Sequence, residues 1–240
     1  MPAISLKDVV KRYGQQEALR DVTFDVPEGS LFGLLGNNGA GKTTTINLIT
    51  GQDKPDSGTI RVLGEDPTTD PTKVRQEVGI LPEREEPPSA LTPREYFQFV
   101  ADVRDISDSS LERRITEWSS RLDFAENIDT VISDLSLGQR QMVIMTQAFL
   151  SQPPLIIIDE PLVNLDPARQ KRVKQALLQY RNRGNTLVLS THNLSFAEDV
   201  CSQTAILHNG ELVDTVQIDQ IDGSLREYYA DKTIPLPSSL

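Results

Sequence analysis

Nine consecutive residues, Gly36, Asn37, Asn38, Gly39, Ala40, Gly41, Lys42, Thr43 and Thr44, have the types and order needed to hold a polyphosphate. Glycines let successive backbone N–H groups converge on phosphate oxygens, a helix that follows presents its positive end, Lys42 reaches the outer phosphates, and Thr43 offers a hydroxyl to magnesium. A glycine-rich turn with an incidental lysine is the alternative, and a strand before the loop with a helix after it argues against that. Further along, Leu155, Ile156, Ile157 and Ile158 form a short apolar run ending in Asp159 and Glu160. A buried strand of this kind brings Asp159 to its tip beside magnesium and sets Glu160 to polarise an attacking water. The two segments together describe hydrolysis of a nucleoside triphosphate and little more.

Elements able to position these residues are legible in the surrounding pattern. Residues 4–10 and 22–26 are rich in β-formers, and Pro27, Glu28 and Gly29 make a turn before a strand over 31–35. A helix over 42–50 follows the loop, with Gly51 as its stop. Between about 83 and 152 the β signal gives way to helices. Thr92, Pro93 and Glu95 form an N-cap, a first-turn proline and a capping-box acid. Leu111, Ile115, Trp118 and Leu122 make an apolar stripe on a second helix, and a third spans about 137–150. After Pro153 and Pro154 the α/β pattern returns, with strands over 155–158 and 186–189, a helix capped by Asp166, and a hairpin turning at Asn209 and Gly210. Alternating strands and helices imply a mostly parallel sheet with helices on its faces.

A third motif narrows the class. Leu135, Ser136, Leu137, Gly138, Gln139, Arg140 and Gln141 stand at a helix start, ahead of the acidic strand, and Ser136 with the helix-start N–H groups can bind an anion. By itself this is an ordinary N-cap. In company with the phosphate loop and the acidic strand it resembles the signature sequence of ATP-binding-cassette proteins, and the resemblance runs over about residues 4–216. It implies an α/β P-loop NTPase with a mostly parallel sheet core, an antiparallel β subdomain and an inserted helical subdomain. The expected organisation is one domain over 1–231, its nucleotide-binding core at 1–83 and 153–231, its helical subdomain at 84–152, and a flexible tail at 232–240.

The resemblance also assigns roles. Tyr13 takes the place of the aromatic that stacks on adenine, residues 161–166 look like the loop that crosses the dimer interface, with Asp166 joining the two sites, and His192 looks like the switch histidine that contacts the γ-phosphate. Two copies of such a chain, or one copy and a related subunit, close head to tail with ATP and magnesium between them. The phosphate loop of one then faces Ser136, Leu137, Gly138 and Gln139 of the other, with Glu160 as general base. Two positions depart from the family's pattern. Leu137 stands where the commonest signature has glycine, removing freedom at positive φ. Glu83 replaces the glutamine of the loop over 78–83, where it can accept from magnesium-bound water and cannot donate. Glutamate there resembles the branch whose short single-cassette members drive small export or maturation systems.

Composition is consistent with a folded chain: of 240 residues, 38% are hydrophobic and 25% charged. The net charge of −11 disfavours binding to a phosphate backbone, so no nucleic-acid partner is expected. Apolar runs fall far short of the roughly 18 residues of a membrane span. Met1 to Leu6 lack the features of a secretory signal, and the expected site of action is the cytoplasmic face of a cell membrane, through a membrane-spanning partner subunit. Cys201 has no second cysteine to pair with and falls in an apolar-periodic stretch that suggests burial. Two other readings compete. A soluble cassette protein acting on DNA or ribosomes usually carries long coiled coils or two cassettes, and neither is visible. A GTPase or nucleotide kinase would share the phosphate loop alone, and the guanine-reading Asn-Lys-x-Asp sequence is missing.

Overall fold

A computed structural model describes residues 1–83, 86–163 and 165–233. The expected tail at 232–240 lies almost wholly outside the described residues.

The central sheet contains β3 (Leu31–Leu35), β5 (Val78–Leu81), β6 (Leu155–Asp159), β7 (Thr186–Thr191), β8 (Gln203–His208) and β9 (Glu211–Gln217), in the order β5-β6-β7-β3-β8-β9. Every pairing is parallel except β8 with β9. Asn209 and Gly210 turn that last hairpin at φ of 51° and 82°, the left-handed pair that a two-residue hairpin loop demands.

The apolar runs of the inner strands follow from burial on both faces. Leu31 and Leu35 pack into one hydrophobic core, whereas Phe32 and Leu34 pack into another. Ile156 and Ile158 join the first core, Leu155 and Ile157 the second. Side chains that alternate across a strand thus feed two separate apolar layers.

The second core is closed by an antiparallel sheet of β1 (Pro2–Tyr13), β2 (Gln16–Pro27) and β4 (Ser57–Val62), in the order β2-β1-β4. Phe24 of β2 stacks on Phe32 of β3 with ring centroids 5.6 Å apart. Both β1 and β2 are longer than the apolar pattern implies. Register shifts beside Leu6, Val9 and Lys11, and a left-handed Asp8 at φ 53°, break the period-two alternation by which a strand is read.

The first core is closed by helices α3 (Pro93–Val103), α4 (Asp108–Arg121) and α5 (Leu137–Leu150). Thr92 and Glu95 form both bonds of a capping box at the start of α3, and the Thr92 backbone amide and hydroxyl together hold the Glu95 carboxyl below its ordinary pKa. Trp118 of α4 stacks on Phe149 of α5 at 4.1 Å, and Phe149 meets Tyr180 edge-on at 4.9 Å. Tyr180 belongs to α6 (Pro167–Asn182) and donates its hydroxyl to the Pro153 carbonyl at 2.7 Å, so this aromatic group joins the helical layer to the sheet layer. Phe149→Ala is expected to cost about 3–5 kcal/mol by opening a cavity at that joint. A chemical denaturation midpoint within error of the parent would contradict it.

Tyr96 and Phe97 of α3 are 7% and 0% exposed and belong to the first core. On α3 it is Phe99 and Val103 that stand in solvent, at 61% and 67%. The helix turns its 96, 97 and 101 positions inward, and four neighbouring aromatic and apolar residues hide that phase in the sequence.

Candidate functional site

β3, β6 and β7 lie side by side, with Leu35 opposite Thr191 and Asp159 opposite Ser190. Their carboxyl ends therefore open at one edge of the sheet, where ligands bind in open α/β folds. Three catalytically promising segments leave from that edge: the loop over 36–41, Glu160, and His192.

The loop runs from β3 into α1 (Lys42–Ile49). Two glycines are required by its path. A Cβ on Gly36 would lie 2.5 Å from the Leu207 carbonyl oxygen, and Gly41, at φ 108°, would place one 2.6 Å from the Leu19 side chain. Lys42 is buried, and its Nζ donates to the Gly36 carbonyl at 2.7 Å and the Asn37 carbonyl at 3.4 Å. Its ammonium is thereby held over the mouth of the loop.

Asp159, at the tip of β6, comes within 3.5 Å of the Thr43 hydroxyl. Burial pushes the Asp159 carboxyl above the usual carboxylate range, the Glu160 and Glu83 carboxylates add to that rise, and Lys42 opposes it. Converging acids of this kind raise the local demand for a cation.

Glu160 has a left-handed backbone at φ 49°, which costs a non-glycine residue of order 1 kcal/mol. It is held there by bonds to the end of β7. Its Oε2 accepts from the Thr191 hydroxyl at 2.9 Å, while Oε1 accepts from the His192 backbone N–H at 2.9 Å and lies 2.7 Å from His192 Nδ1. Glu160 is 8% exposed, whereas the His192 side chain is 62% exposed. The carboxylate is fixed and the imidazole faces outward. Thr191 was not singled out by sequence reasoning, because a threonine ending an apolar strand carries no signal of its own.

A cavity of about 490 Å³ collects these groups. Tyr13, Asn37, Asn38, Gly39, Gly41, Lys42, Thr43, Thr44, Glu83, Asp159, Glu160 and His192 all line it, together with Gln16, Ala18 and Val163. Ala40, in the same loop, is buried.

Ser136, Leu137, Gly138 and Gln139 lie elsewhere. Ser136 caps α5, accepting from the Gln139 N–H at 3.3 Å while the Gln139 side chain accepts from the Ser136 N–H at 2.9 Å. Leu137 is the first residue of α5 and is 62% exposed. It is not among the residues of positive φ, so leucine adopts this helical position without backbone strain. A Cβ on Gly138 would meet the Arg169 side chain at 3.3 Å, a close contact that a shift of a few tenths of an ångström by this flexible side chain would relieve. Asp166 caps α6, accepting from the Arg169 N–H at 2.9 Å, and pairs with the Arg169 guanidinium. Ser136, Leu137 and Asp166 are exposed, outside the cavity.

Residues 19–163 match the family described as ABC transporter. Among relatives, the ABC-type transporter ATP-binding protein EcsA of Bacillus subtilis is 32% identical over 212 residues, which are 88% of this chain and 86% of that protein. The Nod factor export ATP-binding protein I of Ralstonia nicotianae is 29% identical over 88% of this chain, which spans 66% of its length. A solved structure described as the ATP binding subunit of an ABC transporter superimposes with a TM-score of 0.89 at 33% identity, covering 95% of this chain and 98% of that one. With its phosphate loop and acidic strand tip gathered in one cavity, this chain belongs to the ABC transporter family, as an ATP-binding and ATP-hydrolysing subunit.

Proposed function

We propose that two copies of this chain, or one copy and a related subunit, close head to tail around two ATP molecules and thereby drive a membrane-spanning partner at the inner face of a cell membrane. The observation that carries the reading is the separation just described. The cavity has the groups to hold and cleave a triphosphate, yet the exposed helix start at Ser136 and Leu137 is outside it. A two-fold arrangement unites them without any new surface, because each chain supplies both halves. ATP then bridges the phosphate loop of one copy and the Ser136 helix start of the other, and cleavage weakens the closed state. No helix among the described residues is long and apolar enough to cross a membrane. In this reading coupling runs through the membrane-spanning partner, for which the exposed Phe99 and Val103 of α3 offer a meeting face.

In this reading Glu160 takes the proton from the attacking water, His192 reaches the γ-phosphate, Tyr13 stacks on the base, and Asp166 joins the two sites. The oxygen donors Thr43 and Asp159, with Glu83 on the same wall, suit a hard cation. Magnesium bound by them would neutralise phosphate charge.

Ser136→Glu tests the arrangement, since it aims a carboxylate at the partner's triphosphate and leaves the chain's own cavity untouched. The expected result is unchanged nucleotide affinity of the single chain with loss of the ATP-dependent dimer and of turnover. Full turnover in this variant, or loss of nucleotide binding by the isolated chain, would contradict it.

A further inference from the structure

Tyr13 is half exposed at the tip of the β1–β2 hairpin, where it pairs with Gln16, and it lines the cavity. A solvated tyrosine at a hairpin tip is ordinarily free to change rotamer. This one is tied down. Its hydroxyl donates to Asp53 Oδ2 at 2.7 Å, and Lys11 Nζ lies 5.0 Å from its ring centroid. The other oxygen of the same carboxylate accepts from Lys11 Nζ at 2.6 Å, and Lys11 Nζ also donates to the Lys54 carbonyl at 2.8 Å. Lys11 is 8% exposed, whereas the Asp53 side chain is 29% exposed, so the pair is only partly shielded from water.

Asp53 belongs to the segment leaving α1, and its backbone N–H donates to the Asn47 carbonyl of that helix at 3.1 Å. Two further bonds stitch the same segment to β1, from the Asp56 N–H to the Val10 carbonyl at 2.8 Å and from the Arg12 N–H to Asp56 Oδ2 at 2.5 Å. That helix, α1, ends at Ile49 and begins with Lys42, Thr43 and Thr44. One carboxylate thus connects an aromatic that lines the cavity to the segment leaving the helix whose first residues also line it.

We infer that Asp53 is a positioning residue for ATP: by holding the Tyr13 hydroxyl, and being held by Lys11, it sets the aromatic face at a fixed distance from the phosphate loop. This inference rests on the reading of Tyr13 as the surface on which the base stacks. Its physical content is preorganisation, since a ring already immobilised loses less rotamer freedom on binding. Lys11 hydrogen-bonding holds the Asp53 carboxyl below its ordinary pKa, in keeping with its role as acceptor for both partners.

The test measures KM and kcat for ATP, with thermal melting, in Tyr13→Ala, Tyr13→Phe, Asp53→Ala, Asp53→Asn and the Tyr13→Phe/Asp53→Ala double variant. Tyr13→Phe and Asp53→Ala should each raise KM about three- to tenfold at nearly constant kcat, the factor set by immobilising one side chain. The double variant should be no worse than the worse single one, because both remove the same bond. Asp53→Asn, which retains an acceptor for the hydroxyl, should recover part of the affinity. Parental KM in Tyr13→Phe and Asp53→Ala while Tyr13→Ala is impaired would overturn the tether and leave the stacking role standing. Parental KM in Tyr13→Ala would remove the stacking role and the inference with it. Additive effects, or a fall in kcat and melting temperature that tracks the change in KM, would make Asp53 merely structural and also overturn it.

Discussion

Glu160→Gln is expected to slow ATP turnover by about a hundred- to ten-thousandfold, the range associated with losing a general base, while nucleotide still binds. The surroundings of the side chain explain why the substitution should be so selective. Both carboxylate oxygens of Glu160 are engaged, one by the Thr191 hydroxyl and the other by the His192 backbone N–H. A glutamine can direct its carbonyl oxygen at the His192 N–H and its amide at Thr191, whose hydroxyl rotates from donor to acceptor. The packing and the left-handed turn should survive. What is lost is the ability to take a proton from water. In the proposed dimer, ATP that cannot be cleaved continues to bridge the two chains, so gel filtration with magnesium and ATP should show a stable dimer. A variant that remains monomeric under those conditions, or one that hydrolyses ATP within tenfold of the parent, would remove Glu160 from the role.

The phosphate loop was legible in the sequence because its spacing is dictated by backbone chemistry: Gly36 has no room for a side chain and Gly41 needs a left-handed backbone, so each glycine is forced. The third helix was legible for a similar local reason, since Ser136 and Gln139 cap α5 across three residues. β6 announced itself by five consecutive buried positions. Less of the pattern reached the short or half-exposed elements. β4 buries only Ile60 and Val62, and α2 (Pro71–Glu77), α7 (Leu194–Val200) and α8 (Leu225–Thr233) are each too short for an apolar period to repeat convincingly. Least legible were contacts between distant segments. Nothing in the chain order joins Glu160 to Thr191 or Tyr13 to Asp53, because a sheet register and a helix exit bring them together.

Lys42→Ala is expected to weaken ATP binding by about ten- to a hundredfold, the equivalent of one charge-assisted hydrogen bond to phosphate. The residue does two things, and the prediction must separate them. As the chain stands, its ammonium bonds to the carbonyls of Gly36 and Asn37, so the substitution removes a brace of the loop as well as a ligand for the phosphates. If the brace were the whole role, the loop would loosen and Lys42→Arg, which keeps a cation able to reach the same carbonyls, would restore most of the affinity. A phosphate ligand behaves differently. The ammonium is a compact point charge on a buried stem, and the longer, planar guanidinium cannot occupy its place over the outer phosphates. Both variants should therefore bind ATP and ADP poorly, while adenosine, which has no phosphate for Lys42 to reach, should bind each as it binds the parent. Equilibrium binding of the three ligands to folded Lys42→Ala and Lys42→Arg decides the matter. Parental ATP affinity in the alanine variant would exclude contact between Lys42 and the triphosphate, and equal losses for adenosine and ATP would assign the lysine to the loop's architecture alone.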